Sequence, residues 1–191
     1  PKPVVSFGQG CEGEPLLQSE TILKAVQEIR RKTSKGTINL NTNGFSPERI
    51  QALCDAGMDS FRISFFSARK KYYERYYSPC GYSFEDVVRS MEQIKKKGKW
   101  LSLNYFMHPG TTDTPDEWDA LKNVLSTARA NLIQMRNLNI DPDWVYQKVF
   151  YDIESTPGFG ILQWMIQMKS TFPDIAFGYY NPYLGKKEKK S

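Results

Sequence analysis

Five stretches of this chain collect side chains that could bind a ligand or do chemistry, and each follows a short apolar run. The first reads Gly8-Gln9-Gly10-Cys11-Glu12-Gly13-Glu14-Pro15. Its glycines allow a backbone to approach a ligand closely. Glu12 or Glu14 could pair with an ammonium group or a metal; the same residues also suit a glycine-rich turn with solvated acids. The second, Asn41-Thr42-Asn43-Gly44, offers amide donors and acceptors, and Asn-Gly is equally a common turn pair. In the third, strand alternation puts Arg62, Ser64 and Phe66 on one face. Ser64 there could bond a sugar hydroxyl or be satisfied by backbone. In the fourth, Asn104, Phe106 and His108 share a face. His108, the only histidine, could act as a general base or ligand contact, although no Asp or Ser partner stands beside it in the sequence. The fifth, Gln134 to Pro142, holds Arg136 and Asn137; Arg136 could grip a carboxylate or phosphate, or join a structural loop network.

The elements that must position these residues alternate short apolar runs with amphipathic stretches. Strands are expected at Val4–Phe7, Thr37–Leu40, Ser60–Phe66, Trp100–Met107 and Leu132–Met135, with a short last one at 175–179. Helices are expected after Ser19 as N-cap, after Ser46-Pro47 with Gly57 as the C-terminal stop, and after Ser83 with Asp86 three residues on. A further helix should follow a capping box at Thr114-Pro115-Asp116-Glu117, and another should span 159–172. The segment 67–82, rich in Arg, Lys and Tyr, reads as a long irregular loop of the kind that covers a substrate. About five βα units in order predict an α/β fold, either an open doubly wound sheet or a barrel. Either way the strand ends that carry the polar stretches are where chemistry gathers.

The 191 residues suit one domain, expected over 1–184, with 25% charged and 40% hydrophobic residues. Residues 185–191 read as a basic, solvated tail: Lys186 to Ser191 supply +3 of the net +5, which weakens a nucleic-acid reading from charge. The cysteines, Cys11, Cys54 and Cys80, show no metal spacing or disulfide framework and predict a reducing, cytoplasmic setting. No apolar run is long enough to span a membrane, and no signal peptide is visible. A strand starting so soon after Pro1 suggests an excised or truncated fragment.

Taken in order, these stretches resemble the radical S-adenosylmethionine (SAM) superfamily. Glu12-Gly13-Glu14-Pro15-Leu16 resembles the family's Gly-Gly-Glu-Pro motif, which binds the amino group of the SAM methionine. Asn41-Thr42-Asn43-Gly44 is similar to its third-strand Thr-Asn-Gly ending, and Ile63-Ser64 to the fourth-strand hydroxyl that meets ribose or carboxylate. Asn104-Tyr105 with Pro109-Gly110 resembles the fifth strand, and Arg136-Asn137-Leu138 falls where the sixth helps hold adenine. The resemblance implies a partial TIM-like (βα) barrel comprising strands two to six of that core. It implies SAM as cofactor, held by Gly13, Glu14, Asn41, Asn43, Ser64, Asn104 and Asn137. Glu12, Arg62, His108 and Arg136 would be further substrate or cofactor contacts. It also implies a [4Fe-4S] cluster in the parent protein that reductively cleaves SAM to a 5′-deoxyadenosyl radical acting on an unknown substrate.

The sequence departs from the family pattern in two places. The family's Cys-x-x-x-Cys-x-x-Cys loop is absent from these residues, and Glu12 replaces the first glycine of the motif. The expectation is therefore a SAM-binding part, inactive alone, whose first strand forms a sheet edge open to self-association. Two other readings stay open: a cluster-free metal-dependent lyase using Glu14 and His108, or a non-catalytic module whose segment 68–82 and basic tail engage RNA or a protein.

Overall fold

Local chemistry closes most of the βα units. The computed structural model describes residues 2–8, 13–137, 140–153 and 157–185. Strand β1 (Val4–Phe7) leads through a 3-10 turn (Pro15–Gln18) into helix α1 (Ser19–Lys32). Ser19 is therefore not the N-cap: the turn runs straight into the helix, and Gln18 stands at the cap without a side-chain bond. After β2 (Thr37–Thr42), helix α2 (Pro47–Ala56) starts as expected. The Ser46 hydroxyl accepts from the Arg49 amide, Pro47 fills the first turn, and Gly57 ends the helix in the left-handed region at φ 110°. Helix α4 (Phe84–Lys96) carries a full capping box between Ser83 and Asp86.

Two helices lie where the sequence reading placed loop. Within the basic segment after β3 (Ser60–Phe65), residues Lys70–Tyr77 form α3. Its buried stripe is made of Tyr72 and Tyr73 rather than aliphatic residues, which hid the helical period. After β5 (Leu132–Asn137) comes α6 (Pro142–Lys148), capped by Asp141, whose Oδ1 accepts from the amides of Asp143 (2.9 Å) and Trp144 (3.2 Å). The chain is completed by β4 (Trp100–Met107), α5 (Pro115–Ala128), α7 (Ile161–Thr171) and the two-residue β6 (Ala176–Phe177).

The six strands make one parallel sheet in the order β1-β2-β3-β4-β5-β6. Each crossover moves one strand further in the same direction, so right-handed connections put the helices on the same side. There α1 packs on α2, α2 on α4 and α4 on α5. Ile38, Leu40, Phe61, Ile63, Phe65, Leu101, Leu103, Tyr105 and Ile133 meet them in one buried core. The result is an open partial barrel. β1 is its edge, paired only with β2, and Val4 and Val5 are exposed. No helix is long and apolar enough to cross a membrane among the described residues.

The tertiary structure overrides the expected capping box of α5. Thr114 makes no side-chain cap; its hydroxyl donates to the Thr111 carbonyl (2.8 Å). Glu117 turns inward instead and is buried. Its carboxylate accepts from the Ser67 hydroxyl (2.6 Å), the Ala68 amide (2.6 Å), the Tyr105 hydroxyl (2.7 Å) and Arg69 Nε (3.2 Å). Four donors, one of them charged, offset the desolvation of a carboxylate far better than one cap bond would. This ties the β3–α3 loop to β4 and α5. Glu117→Ala should therefore cost about 3 kcal/mol in urea unfolding, because it leaves the buried donors of Ser67, Ala68 and Tyr105 without their acceptor and removes the closer of the two carboxylates paired with Arg69. The Ala68 amide should lose its protection in hydrogen exchange.

Candidate functional site

On the face opposite the helices, strand pairing sets polar residues side by side. Ser6, Asn39 and Ser60 form one row, and Asn41, Arg62 and Ser102 the next. Ser64, Asn104 and Gln134 form a third, and Phe106 with Arg136 a fourth, nearest the strand ends. Few of these side chains could face a hydrophobic core, so their parity excludes helices from this face.

The lower rows are satisfied within the chain. Asn39 Nδ2 donates to Ser6 Oγ (2.7 Å) and Asn41 Oδ1 (3.0 Å), and the Ser60 hydroxyl donates to Asn39 Oδ1 (2.8 Å). The C-terminal segment closes the space beneath them: Asn181 Nδ2 donates to Ser6 Oγ (3.2 Å) and the Leu184 amide to the Thr37 hydroxyl (2.7 Å). Higher up the pattern changes. Arg62 Nε, Asn104 Oδ1, Gln134 Oε1 and His108 Nδ1 are buried and have no hydrogen-bond partner among the described residues. Such atoms are rare in a folded core, and a cluster of them along one face is the pattern of a polar ligand site.

Glu14 holds the rim of this face. Its carboxylate accepts from the Leu16 amide (2.9 Å), the Asn43 amide (2.7 Å) and the Thr42 hydroxyl, pinning the end of the β1 loop to the end of β2. Asn41 Nδ2 adds a bond to the Gly8 carbonyl (2.7 Å), and Asn43 Oδ1 accepts from Phe45 N (3.1 Å) in a tight turn. Gly8 is pressed so closely that a Cβ would lie 2.5 Å from both the Asn41 carbonyl oxygen and Pro15 Cγ, at a φ of +75°. Gly13 is exposed beside this latch, and Glu12 lies outside the described residues.

The upper end is walled by aromatic residues. Phe66 stacks on Tyr76 (centroids 3.9 Å apart) and on Phe106 (4.6 Å), and Phe106 stacks on His108 (5.8 Å). Phe150 and Tyr146 complete the group. This brings α3 and the α6 region together over the strand ends, with Arg75 clasping both Asp152 oxygens (2.6 and 2.9 Å). Burial pushes the His108 imidazole below its ordinary range, against the pull of Asp113. Burial, and then the nearby Arg136 guanidinium, likewise lower Arg62.

The structure thus gathers Asn41, Arg62, Ser64 and Asn104 on one face, with Glu14 at its rim and His108 and Arg136 toward the open end. Asn137 has the helix-side parity and is exposed at its strand end. Gln134 was missed as a site residue; its spacing of two from Arg136 was the signal for a shared face.

The Radical SAM superfamily profile matches residues 3–122. The chain belongs to the radical SAM superfamily. Its members are enzymes, which supports an enzyme as parent protein. The fold agrees with solved structures of superfamily size and shape. A domain of pyruvate-formate lyase-activating enzyme from Bacteroides vulgatus superposes with a TM-score of 0.65 at 15% identity, covering 93% of this chain and 99% of that one. Methylornithine synthase gives 0.58 at 11% identity, over 91% of this chain and 48% of that one. Spore photoproduct lyase, complexed with dinucleoside spore photoproduct, gives 0.55 at 14% identity, over 94% and 62%. The radical SAM chain thus spans about half of methylornithine synthase. A search of curated protein sequences finds no match.

Two outcomes follow from this geometry. Gly8→Ala should cost roughly 1–3 kcal/mol in thermal unfolding, through the left-handed φ and the clash with Asn41 and Pro15. His108 should titrate below the ordinary imidazole value of 6.5 when followed by NMR. Its neutral form then contributes stability above that value, which is lost as the pH falls through the depressed folded-state value.

Proposed function

We propose that this chain is the SAM-holding part of a radical SAM enzyme. The observation that carries the reading is the run of unpartnered buried polar atoms, Arg62 Nε, Asn104 Oδ1 and Gln134 Oε1, on a helix-free face of a superfamily member. That face fits an amphoteric, hydrogen-bonding ligand such as SAM. Asn104 and Ser64, Cα partners across β3 and β4, would meet its ribose, and Gly13 and Glu14 its methionine amino group. Because the Glu14 carboxylate already accepts three bonds, its main work would be to fix the backbone of residues 13–15 and of Asn43 in place to receive the ammonium. Asn41 would hold the Gly8 backbone.

Bound beside a reduced [4Fe-4S] cluster, SAM supplies one-electron cleavage chemistry. The residues here do not fit the cluster itself. No group of three or more metal-ligating side chains occurs among the described residues. Cys54 is buried in α2 with its thiol pushed up to about 12, chiefly by burial, and Cys80 stands alone on the surface. A thiol held protonated is a poor ligand. The cluster would therefore come from a further segment of the parent, and this chain alone would be inactive.

The other readings have less behind them. A metal bound by Glu14 would compete with three hydrogen bonds already made. An RNA surface on 68–82 would need free cations, but Arg69 pairs with Glu117, Lys70 with Glu85, and Lys71 and Arg75 with Asp152.

Calorimetric titration of the chain with SAM tests the proposal. Asn104→Ala and Ser64→Ala should each weaken binding by about tenfold, equivalent to one lost hydrogen bond in a buried site. Unchanged affinity in both would defeat the assignment. Reconstitution with iron and sulfide should give no cluster absorbance in this chain; a stable cluster would overturn the reading of its cysteines.

A further inference from the structure

Arg62 and Arg136 present an electrostatic problem that SAM does not solve. Both stand on the polar face, in rows two apart, and burial, then the nearby Arg136 guanidinium, lowers Arg62's preference for its charge. The rows of that face carry Ser6, Asn39, Asn41, Ser60, Arg62, Ser64, Ser102, Asn104, Gln134 and Arg136, and no carboxylate among the described residues. Neither arginine has a salt-bridge partner among those residues. Among the described residues Arg62 Nε is buried and unpartnered, and the side chain's only hydrogen bond is a long one of 3.5 Å from Nη2 to the Tyr179 carbonyl. The rim acid, Glu14, is occupied by its own three donors. A half-buried guanidinium such as Arg62, with a second like charge nearby, is costly without a counter-ion. SAM carries two positive groups and one negative one, so its binding adds cation and leaves the imbalance.

We infer that the substrate carries an anionic group, a carboxylate or phosphate, held jointly by Arg62 and Arg136. The inference rests on the SAM reading only for the location of the cofactor. Guanidinium forks suit either anion through paired N–H donors. Phe106 is the Cα partner of Arg136, and its ring belongs to the stack with Phe66 and His108. The anionic end would thus lie next to an aromatic wall, with the remainder of the substrate beneath α3 and α6.

The test is calorimetric titration of the full chain with inorganic phosphate and with succinate, alone and after saturation with S-adenosylhomocysteine, whose own carboxylate would fill a cofactor subsite. At least one anion should bind in both conditions. Arg62→Gln and Arg136→Gln should each weaken it by about tenfold, and Arg136→Lys by less, since charge survives and only the fork is lost. Arg136 is exposed at its strand end, so its variants keep the test decisive if Arg62→Gln fails to fold. The inference is overturned if neither anion binds, if S-adenosylhomocysteine abolishes their binding, or if the Arg136 variants bind as the wild type does. If S-adenosylhomocysteine itself does not bind while the anion does so through both arginines, the SAM reading falls and the anion site stands.

Discussion

Sequential strand order is the constraint on which everything else rests. In a parallel sheet each right-handed crossover places its helix on a side set by the direction in which the next strand is added. Here every strand is added beyond the last, so that direction never reverses. The helices gather on one face and the opposite face is left without cover. Sequence and fold agree on this point: odd and even positions of β2 to β5 separate into a mainly apolar set and a mainly polar set. A doubly wound sheet would need both sets apolar.

An uncovered polar face must find partners for its groups, and the protein divides that work. Toward the start of the strands the chain provides most of its own, through Asn39, Ser60 and the returning segment that carries Asn181 and Leu184, with Asn181 Oδ1 left unpartnered among the described residues. Toward the strand ends it does not, and Arg62, Asn104 and Gln134 keep unpartnered atoms. The transition between the two zones falls toward the C-terminal strand ends, where parallel βα folds carry their sites. Rigidity at this boundary comes from two carboxylates, Glu14 and Glu117, each taking three or four donors from separate loops. A carboxylate in a loop can thus look catalytic in sequence and act as a fastener in the fold.

The aromatic roof has a related logic. α3 and α6 are short, and neither could hold its position by propensity alone. Their contact through Phe66, Tyr72, Val145, Val149 and Phe150 forms a second small core, separate from the main one and clasped by Arg75 and Asp152. It buries Phe106 and His108 partly, which lowers the His108 proton affinity and gives the upper site an apolar wall. Of the basic segment, Lys71 joins Arg75 in this clasp, both pairing with Asp152.

By itself the sequence determined the alternation of strands and helices, the positions of most caps and the polar stretch at each strand end. These are local properties, set by periodicity two and 3.6 and by residues such as Ser46, Gly57 and Ser83 whose partners lie within a few positions. The order of motifs was also enough to suggest the superfamily. Only the tertiary structure decided where side chains with distant partners go. Glu117 satisfies every local rule for a capping box, yet four donors from the β3–α3 loop and β4 draw it inward. Glu14 resembles a ligand contact, and only the fold shows that Thr42 and Asn43 of the β2 end also donate to its carboxylate. The two helices hidden in loops depend on each other across about 70 residues, as the Arg75–Val149 bond shows, and no window of sequence contains both. Gln134 and Arg62 became neighbours of the site only through strand register, because pairing between strands is fixed by packing of the whole sheet and not by any one strand's residues.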